Sequence, residues 1–271
     1  MLLDKQDLHR HGFQLISSPI SNLEINFYDQ HDVVKHYYPH CEALVRSMMM
    51  ESCAASVQVV KAFDHNVRSS IGAGKRLLQN GGGATVQNPA GLVHGDYTRV
   101  SAPRRLQQLG EPTSRRANDV RRSDGDSTNL DTSAVQEALQ GKRRYAFINV
   151  WRNIARDAPV QQLPLACIAA NTMNETDLRT FQIHYRDRVG ENYFCCHSSR
   201  HEWFYYPDLK MDEALLLKQW DSEGDLAKGR EVDSALSTMT VHSAFLDPTS
   251  PPDAAPRESI EVRCVVLWDE A

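Results

Sequence analysis

The stretch Val93-His94-Gly95-Asp96-Tyr97-Thr98 carries the reading around which the rest of the chain falls into place. On a strand, His94 and Asp96 project from the same face, because strand side chains alternate with a period of two. One imidazole and one carboxylate then converge on a point. Alone the pair is weak: with 11 histidines in the chain, one His-x-Asp is unremarkable. His94 by itself reads equally well as a hydrogen-bonded strand histidine. The pattern gains weight far downstream, where His242 in Met239-Thr240-Val241-His242-Ser243-Ala244-Phe245 offers a second imidazole. Two histidines and a carboxylate on one side of a metal leave open positions on the other, the arrangement of non-haem Fe(II) oxygenases. His94, Asp96 and His242 are therefore the candidate iron ligands and catalytic residues.

The segment Pro256-Arg257-Glu258-Ser259-Ile260-Glu261-Val262-Arg263 follows. Arg257 and Ser259 share a strand face. A planar guanidinium pairs bidentately with a carboxylate, and a hydroxyl adds a second donor. These two are candidates for holding the distal carboxylate of 2-oxoglutarate, whose keto-acid end and O2 would take the open metal positions. Read singly, Arg257 is also an ordinary surface ion-pairing residue. Arg152, beside Trp151, is a third candidate for a carboxylate, with a structural pair as its equal alternative. Arg263 is the next candidate anchor, and Asp64, His65 and Arg68 are candidates for the entrance. Cys195-Cys196-His197 with His201 invites a zinc reading, but adjacent cysteines are not a Cys-x2-Cys pair and no matched pair follows.

Outward from these motifs, helix signals run from Glu24 to Met50. Strands are expected at Val57–Phe63, Ala90–Thr98, Arg144–Trp151, Leu163–Ala170, Thr180–Tyr185, Glu202–Tyr206, Thr238–Phe245 and Ser259–Trp268. Short helices are expected at Thr132–Leu139 and Asp212–Trp220, the latter burying Leu215, Leu216 and Trp220. Gly81-Gly82-Gly83 reads as a break. Ser101 to Asp131 is rich in arginine, Ser, Asp and Asn, and reads as a surface loop or lid too polar to enter the core. Helices first, then many strands without βαβ alternation, predict a mainly β fold, a double-stranded β-helix (jelly roll) with flanking helices, rather than a doubly wound sheet. Residues 1–271 are expected to form one domain, with 101–131 as an insertion.

The formal net charge is -5, which disfavours a general nucleic-acid binder. The arginine-rich segment also lacks aromatic interleaving for base stacking. No apolar run approaches the ~20 residues that span a bilayer, and the first residues lack a secretory apolar core. These features predict a cytoplasmic protein with no membrane and no nucleic-acid partner, and allow a homodimer. The six cysteines show no framework spacing and are expected to be mostly free thiols.

The motifs, in order, resemble a fungal and bacterial branch of 2-oxoglutarate oxygenases, the gibberellin desaturase-like enzymes, the hydroxylase/desaturases of fungal natural-product clusters and the cephamycin methoxylase small component. The similar stretches are Phe63-Asp64-His65-Asn66-Val67-Arg68, the His94 motif, Ile148-Asn149-Val150-Trp151-Arg152-Asn153-Ile154, Pro164-Leu165-Ala166, Trp203-Phe204-Tyr205-Tyr206-Pro207, Lys218-Gln219-Trp220-Asp221-Ser222 and the His242 to Arg263 block. Two departures stand out: Asn153, where many relatives have proline, and Cys167-Ile168-Ala169-Ala170-Asn171, where relatives tend to carry a Cys-Asp pair and a Ser. The resemblance implies a jelly roll, Fe(II), 2-oxoglutarate, O2 and a small-molecule substrate. It implies hydroxylation, desaturation or oxidative cyclisation as the outcome. The alternative is a non-catalytic partner subunit of a biosynthetic oxygenase complex.

Overall fold

The computed structural model describes residues 6–20, 23–51, 56–74, 85–111, 129–184, 189–230 and 236–269. The strands are β1 (Phe13–Ser17), β2 (Val57–Ser69), β3 (His94–Gly95), β4 (Tyr145–Asn153), β5 (Leu165–Ile168), β6 (Leu178–His184), β7 (Val189–Cys195), β8 (Trp203–Tyr205), β9 (Glu213–Asp221), β10 (His242–Ala244) and β11 (Glu258–Trp268). They form two antiparallel sheets, one in the order β1-β9-β4-β11-β2, the other β6-β7-β3-β10-β5-β8. The helices are α1 (Gln30–Asp32), α2 (Tyr38–Glu51), α3 (Ser101–Leu109) and α4 (Thr132–Leu139), with a π-helical turn at Val33–Tyr37 between the first two. The fold is the mainly β jelly roll with flanking helices that the sequence predicts. None of the described helices is long and apolar enough to cross a membrane.

Strand β11 shows why the layers form. Its residues Ile260, Val262, Cys264 and Val266 alternate onto one face and are buried with Tyr38, Cys41, Val45 and Met49. Those α2 residues recur at three- and four-residue spacing, one stripe of a helix. The opposite face of the five-stranded sheet meets the six-stranded one. There Trp151, Leu215 and Leu217 pack with Leu165 and Cys167, while Phe147, Val265 and Leu267 pack with Ile168 and Val241. Burying such side chains stabilises by roughly 1.5–3 kcal/mol each. Between these two inner clusters the facing surfaces carry polar residues, and there the site lies.

Three expectations are corrected. Asp212 to Trp220 is not a helix: Glu213–Asp221 is strand β9, paired with β1 and β4. Eight of its nine residues are buried. Ala214 and Leu216 join the helix-side core, and Leu215 and Leu217 the inner one. A strand covered on both faces loses the polar alternation that marks a strand, and a leucine run then matches helix propensity. Ser101–Leu109 is not loop: it is α3, with Ala102, Leu106 and Leu109 buried against Ala134, Val135 and Ala138 of α4. The Thr98 hydroxyl accepts from the Val100 and Ser101 amides as the helix starts. Strand β3 covers only His94 and Gly95 of the expected Ala90–Thr98. Residues 112–128 of the expected lid, the Gly81–Gly83 break and Cys53 lie outside the described residues.

Candidate metal centre

Strand β3 lies between β7 and β10, and its His94 is the direct cross-strand partner of His242. This register sets the two rings against each other, with centroids 4.6 Å apart. Asp96 lies two residues on, on the same face. A Cβ at the intervening Gly95 would come within 2.9 Å of Met239 Cε, so glycine lets β3 sit close to the Met239–Val241 segment. One ligand atom from each of His94, Asp96 and His242 falls within 4.8 Å of the others. Among the described residues this is the one cluster of three or more His, Cys, Asp or Glu side chains so arranged.

The donor atoms are poised for a metal. The His94 Nδ1 lies 2.7 Å from the Leu92 carbonyl. An Nδ1–H donated there leaves Nε2 as the ligating nitrogen. That Nε2 is 3.7 Å from Asp96 Oδ1. Asp96 Oδ2 accepts instead from Asn149 Nδ2 at 3.0 Å and from Arg263 Nε at 3.2 Å. The carboxylate is thereby turned so that Oδ1 faces the histidines. Gln219 ties the other two elements together: its Oε1 accepts from the Asp96 amide at 3.0 Å, and its Nε2 lies 3.5 Å from His242 Nδ1.

Electrostatics agree. Burial opposes ionisation of Asp96, but Arg263, His242, His94 and the Asn149 hydrogen bond outweigh it and hold the carboxyl well below the usual range. Burial, then His94, push His242 down to about 3, so its imidazole is neutral and available as a ligand at neutral pH. Arg263 bridges Asp96 and Asp64, with Nη1 3.0 Å from Asp64 Oδ2. Burial disfavours its charge, but those two carboxylates keep it firmly protonated. Two imidazoles and one ionised carboxylate, with a fixed free oxygen, suit Fe(II).

Arg257 and Ser259 are both buried. Arg257 Nε donates to Ser259 Oγ at 3.1 Å and its Nη1 to the Leu163 carbonyl, while its guanidinium lies 5.0 Å from the Trp151 ring centroid. Burial and the neighbouring Arg68 push its pKa down to about 9, against Glu261. Such a buried guanidinium, held by a hydroxyl, a carbonyl and a ring with Glu261 acting on it from nearby, can seat a carboxylate.

Arg152 is elsewhere. It lies on the helix-facing side of β4, fully buried, and donates to Tyr37 Oη, the Ser18 and Met211 carbonyls and Ser18 Oγ. Its guanidinium is consumed by structure, and the expectation that it binds a cofactor is not matched by its position. His65 likewise points away, its Nδ1 2.9 Å from Tyr38 Oη, whereas Asp64 and Arg68 do line the cavity. The cysteine pair also fails as a metal site: His201 and Arg200 engage Asp177, and burial pushes the Cys195 thiol up to about 12. Sequence reasoning missed Asn149 and Gln219. Their signal was a polar residue inside an otherwise apolar strand, which is costly unless it has partners.

The candidate ligands His94 and Asp96 open onto a cavity of about 360 Å³. A jelly roll with two histidines and a carboxylate gathered between its sheets defines the class, and comparisons place the chain within it. A family model described as "Oxidoreductase/YMDC permease-like domain" matches residues 2–267, and the chain belongs to that family. Among curated proteins it is 34% identical over 143 residues to "Uncharacterized protein in dcmA 3'region" of Methylophilus leisingeri, covering 53% of this chain and 63% of that one. The match thus spans less than two thirds of that relative. It is 29% identical over 267 residues to "Fe(II)/2-oxoglutarate-dependent dioxygenase nvfI" of Aspergillus novofumigatus, covering 97% of this chain and 79% of the other. The solved structure of "iron and alpha-ketoglutarate-dependent endoperoxidase NvfI" shares the fold, with a TM-score of 0.70 at 24% identity over 99% of this chain and 82% of that one.

Proposed function

We propose that this chain is a non-haem Fe(II)/2-oxoglutarate-dependent oxygenase that oxidises an unactivated C–H bond of a small natural-product substrate. The observation that carries the reading is the in-register pairing of His94 with His242, beside an Asp96 whose second oxygen is already engaged. His94, Asp96 and His242 hold the metal from one side. Asn149 and Arg263 fix the carboxylate, and Gln219 braces the Asp96 backbone against His242. Arg257 and Ser259 bind the distal carboxylate of 2-oxoglutarate, and the packed inner faces of the two sheets limit water around it. When bound, Fe(II) and 2-oxoglutarate supply the activation of O2, with 2-oxoglutarate leaving as succinate and CO2. The names of relatives, among them hydroxylase/desaturases of fungi, support this chemistry. Hydroxylation, desaturation and ring closure all fit the same residues.

The ligand cluster is intact, which runs against a subunit without catalysis of its own. The same reading treats residues 1–271 as one domain in a cytoplasmic protein. Its test is release of labelled CO2 from 2-oxoglutarate labelled at C1. Release that requires Fe(II) and O2, and that is lost in His242→Ala, supports the oxygenase. No release under any combination, from folded protein, contradicts it.

A further inference from the structure

Among the described residues two that are not glycine have a positive φ, Leu163 at 52° and Asp208 at 53°. They belong to one corner: Val160 bridges Leu209, and Gln161 Nε2 donates to Asp208 Oδ1 at 2.7 Å. Aspartate tolerates left-handed backbone, so Asp208 is ordinary there. Leu163 is the exception, because it also precedes Pro164, and a residue before proline is pushed toward extended backbone. Such a conformation persists only where the surroundings over-determine it. Both flanks of Leu163 are pinned in this way. The Gln161 carbonyl accepts from Ser250 Oγ at 2.6 Å, and Gln162 Oε1 accepts from Ser70 Oγ at 2.8 Å. On the other side the Pro164 carbonyl accepts from the Phe245 amide at 3.2 Å.

The Leu163 carbonyl meets Arg257, accepting from its Nη1 at 2.5 Å. Arg257 Nε donates to Ser259 Oγ at 3.1 Å, and the guanidinium lies 5.0 Å from the Trp151 ring centroid. The fork is thus fixed at Nε and Nη1 and laid against an aromatic ring. Among the described residues no hydrogen bond engages Nη2. Nε and Nη2 share an edge of the planar guanidinium, so Nη2 lies on the Ser259 side. Ser259 Oγ accepts from Nε and keeps its own proton to donate. We propose that Leu163 is a positioning residue for the cosubstrate: its left-handed backbone aims its carbonyl at Nη1, and so turns Nη2 and the Ser259 hydroxyl toward the distal carboxylate of 2-oxoglutarate. This rests on the oxygenase reading, in which Arg257 and Ser259 hold that carboxylate. The backbone at residue 163 carries the role, not the side chain. Glycine keeps a positive φ without cost, whereas a β-branched residue is least able to hold it.

The test titrates the anaerobic Fe(II)-loaded protein with 2-oxoglutarate and with 2-oxopentanoate, which has a methyl in place of the distal carboxylate. Binding is read from the visible band of the Fe(II)·keto-acid complex. The parent should prefer 2-oxoglutarate by about 10-fold or more. In Leu163→Val that preference should fall about 5-fold or more, with 2-oxopentanoate affinity unchanged. Leu163→Gly should keep the parent's preference within about 2-fold. A general loosening of the fold would weaken both keto acids together and would not be rescued by glycine. A parental preference in folded Leu163→Val, equal weakening of both keto acids, or a loss in Leu163→Gly as large as in Leu163→Val overturns the proposal. Should Leu163→Val not fold, an anaerobic crystal structure of the parent complex with Fe(II) and 2-oxoglutarate decides. A positive φ at Leu163, its carbonyl on Nη1 and the distal carboxylate on Nη2 are expected there. A negative φ, or a Leu163 carbonyl turned from Arg257, overturns the proposal. A band in the parent with a preference that Leu163→Val leaves intact sinks the role of Leu163 alone. No band from the folded parent with either keto acid sinks the oxygenase reading and the proposal with it.

Discussion

Asp96 has two oxygens with two jobs, and that division rests on single contacts. Oδ2 is held by Asn149 and Arg263, which leaves Oδ1 facing the histidines for the proposed metal. Replacing His94, Asp96 or His242 by alanine should each abolish tight Fe(II) binding by titration while the circular dichroism spectrum stays that of the parent. Full Fe(II) affinity in Asp96→Ala would remove it from the ligand set. Arg263→Met leaves two buried carboxylates without their cation. Breaking such a pair costs about 3–5 kcal/mol, which denaturant unfolding would register, and an unchanged midpoint would show that Arg263 is not their counter-charge. Arg257→Lys replaces a planar fork with a point charge. It should raise the 2-oxoglutarate concentration needed for half-saturation at least 10-fold with Fe(II) affinity near that of the parent. An unchanged requirement would move the anchor to another residue.

The elements decide which side chains meet, and here the sequence was readable only in part. The polar alternation Arg257, Ser259, Glu261, Arg263 against Ile260, Val262, Cys264 reads directly as a strand with one face toward a site. β4 was legible by its aromatic and β-branched content, and α4 by its spacing and Gly141. β9 was not, because burial on both faces erased its alternation. β1, at the edge of the same sheet, carries no clear signal either, and the six-stranded sheet is harder still: β7 is not marked by its sequence, and β3 spans only two residues, its place fixed by neighbours rather than by its own propensity. Arg152 sits one position out of phase with Asn149 and Trp151, so on a strand it must point to the other face. Period two was sufficient to say so once β4 was assigned. In α3 the arginines hid the spacing of Ala102, Leu106 and Leu109. Its packing now predicts that Leu106→Ala costs about 2–5 kcal/mol in unfolding free energy, where a solvated loop would give nearly nothing. On the helix-facing side, burial and then Arg263 push His65 down to about 4 from 6.5. Between those values the unfolded chain binds the proton and the folded one does not, so stability rises with pH across that window and is flat above it. This group alone should lower stability by about 3 kcal/mol between pH 6.5 and pH 4. His65→Gln should flatten the pH dependence by that much, and an equal slope in variant and parent would contradict the assignment.

Together, the two sheets enclose a site built from distant parts of the chain: β3 and its loop, β4, β9, β10 and β11 each contribute a side chain to the proposed iron ligands or their supports. The clustering of His94, Asp96 and His242, the proposed iron ligands, was legible because that chemistry narrows the residue types to two. The supports were not, because asparagine and glutamine serve many purposes and only the register shows which. The departures at Asn153 and Cys167 fit this picture. Asn153 Nδ2 donates to the Ala158 and Leu209 carbonyls, and burial pushes the Cys167 thiol well above the usual range, away from reactivity. Cys167 is the cross-strand partner of His242, and Asn153 ties β4 to the Ala158 and Leu209 backbone; neither joins the cluster. The most direct measurement is the anaerobic addition of Fe(II) and then 2-oxoglutarate to the folded protein, followed by visible absorption spectroscopy. A weak charge-transfer band that appears only when both are present, saturates at one iron per chain and is lost in His242→Ala is the expected outcome. Folded protein that gives no band at saturating Fe(II) and 2-oxoglutarate would contradict the assignment of this site.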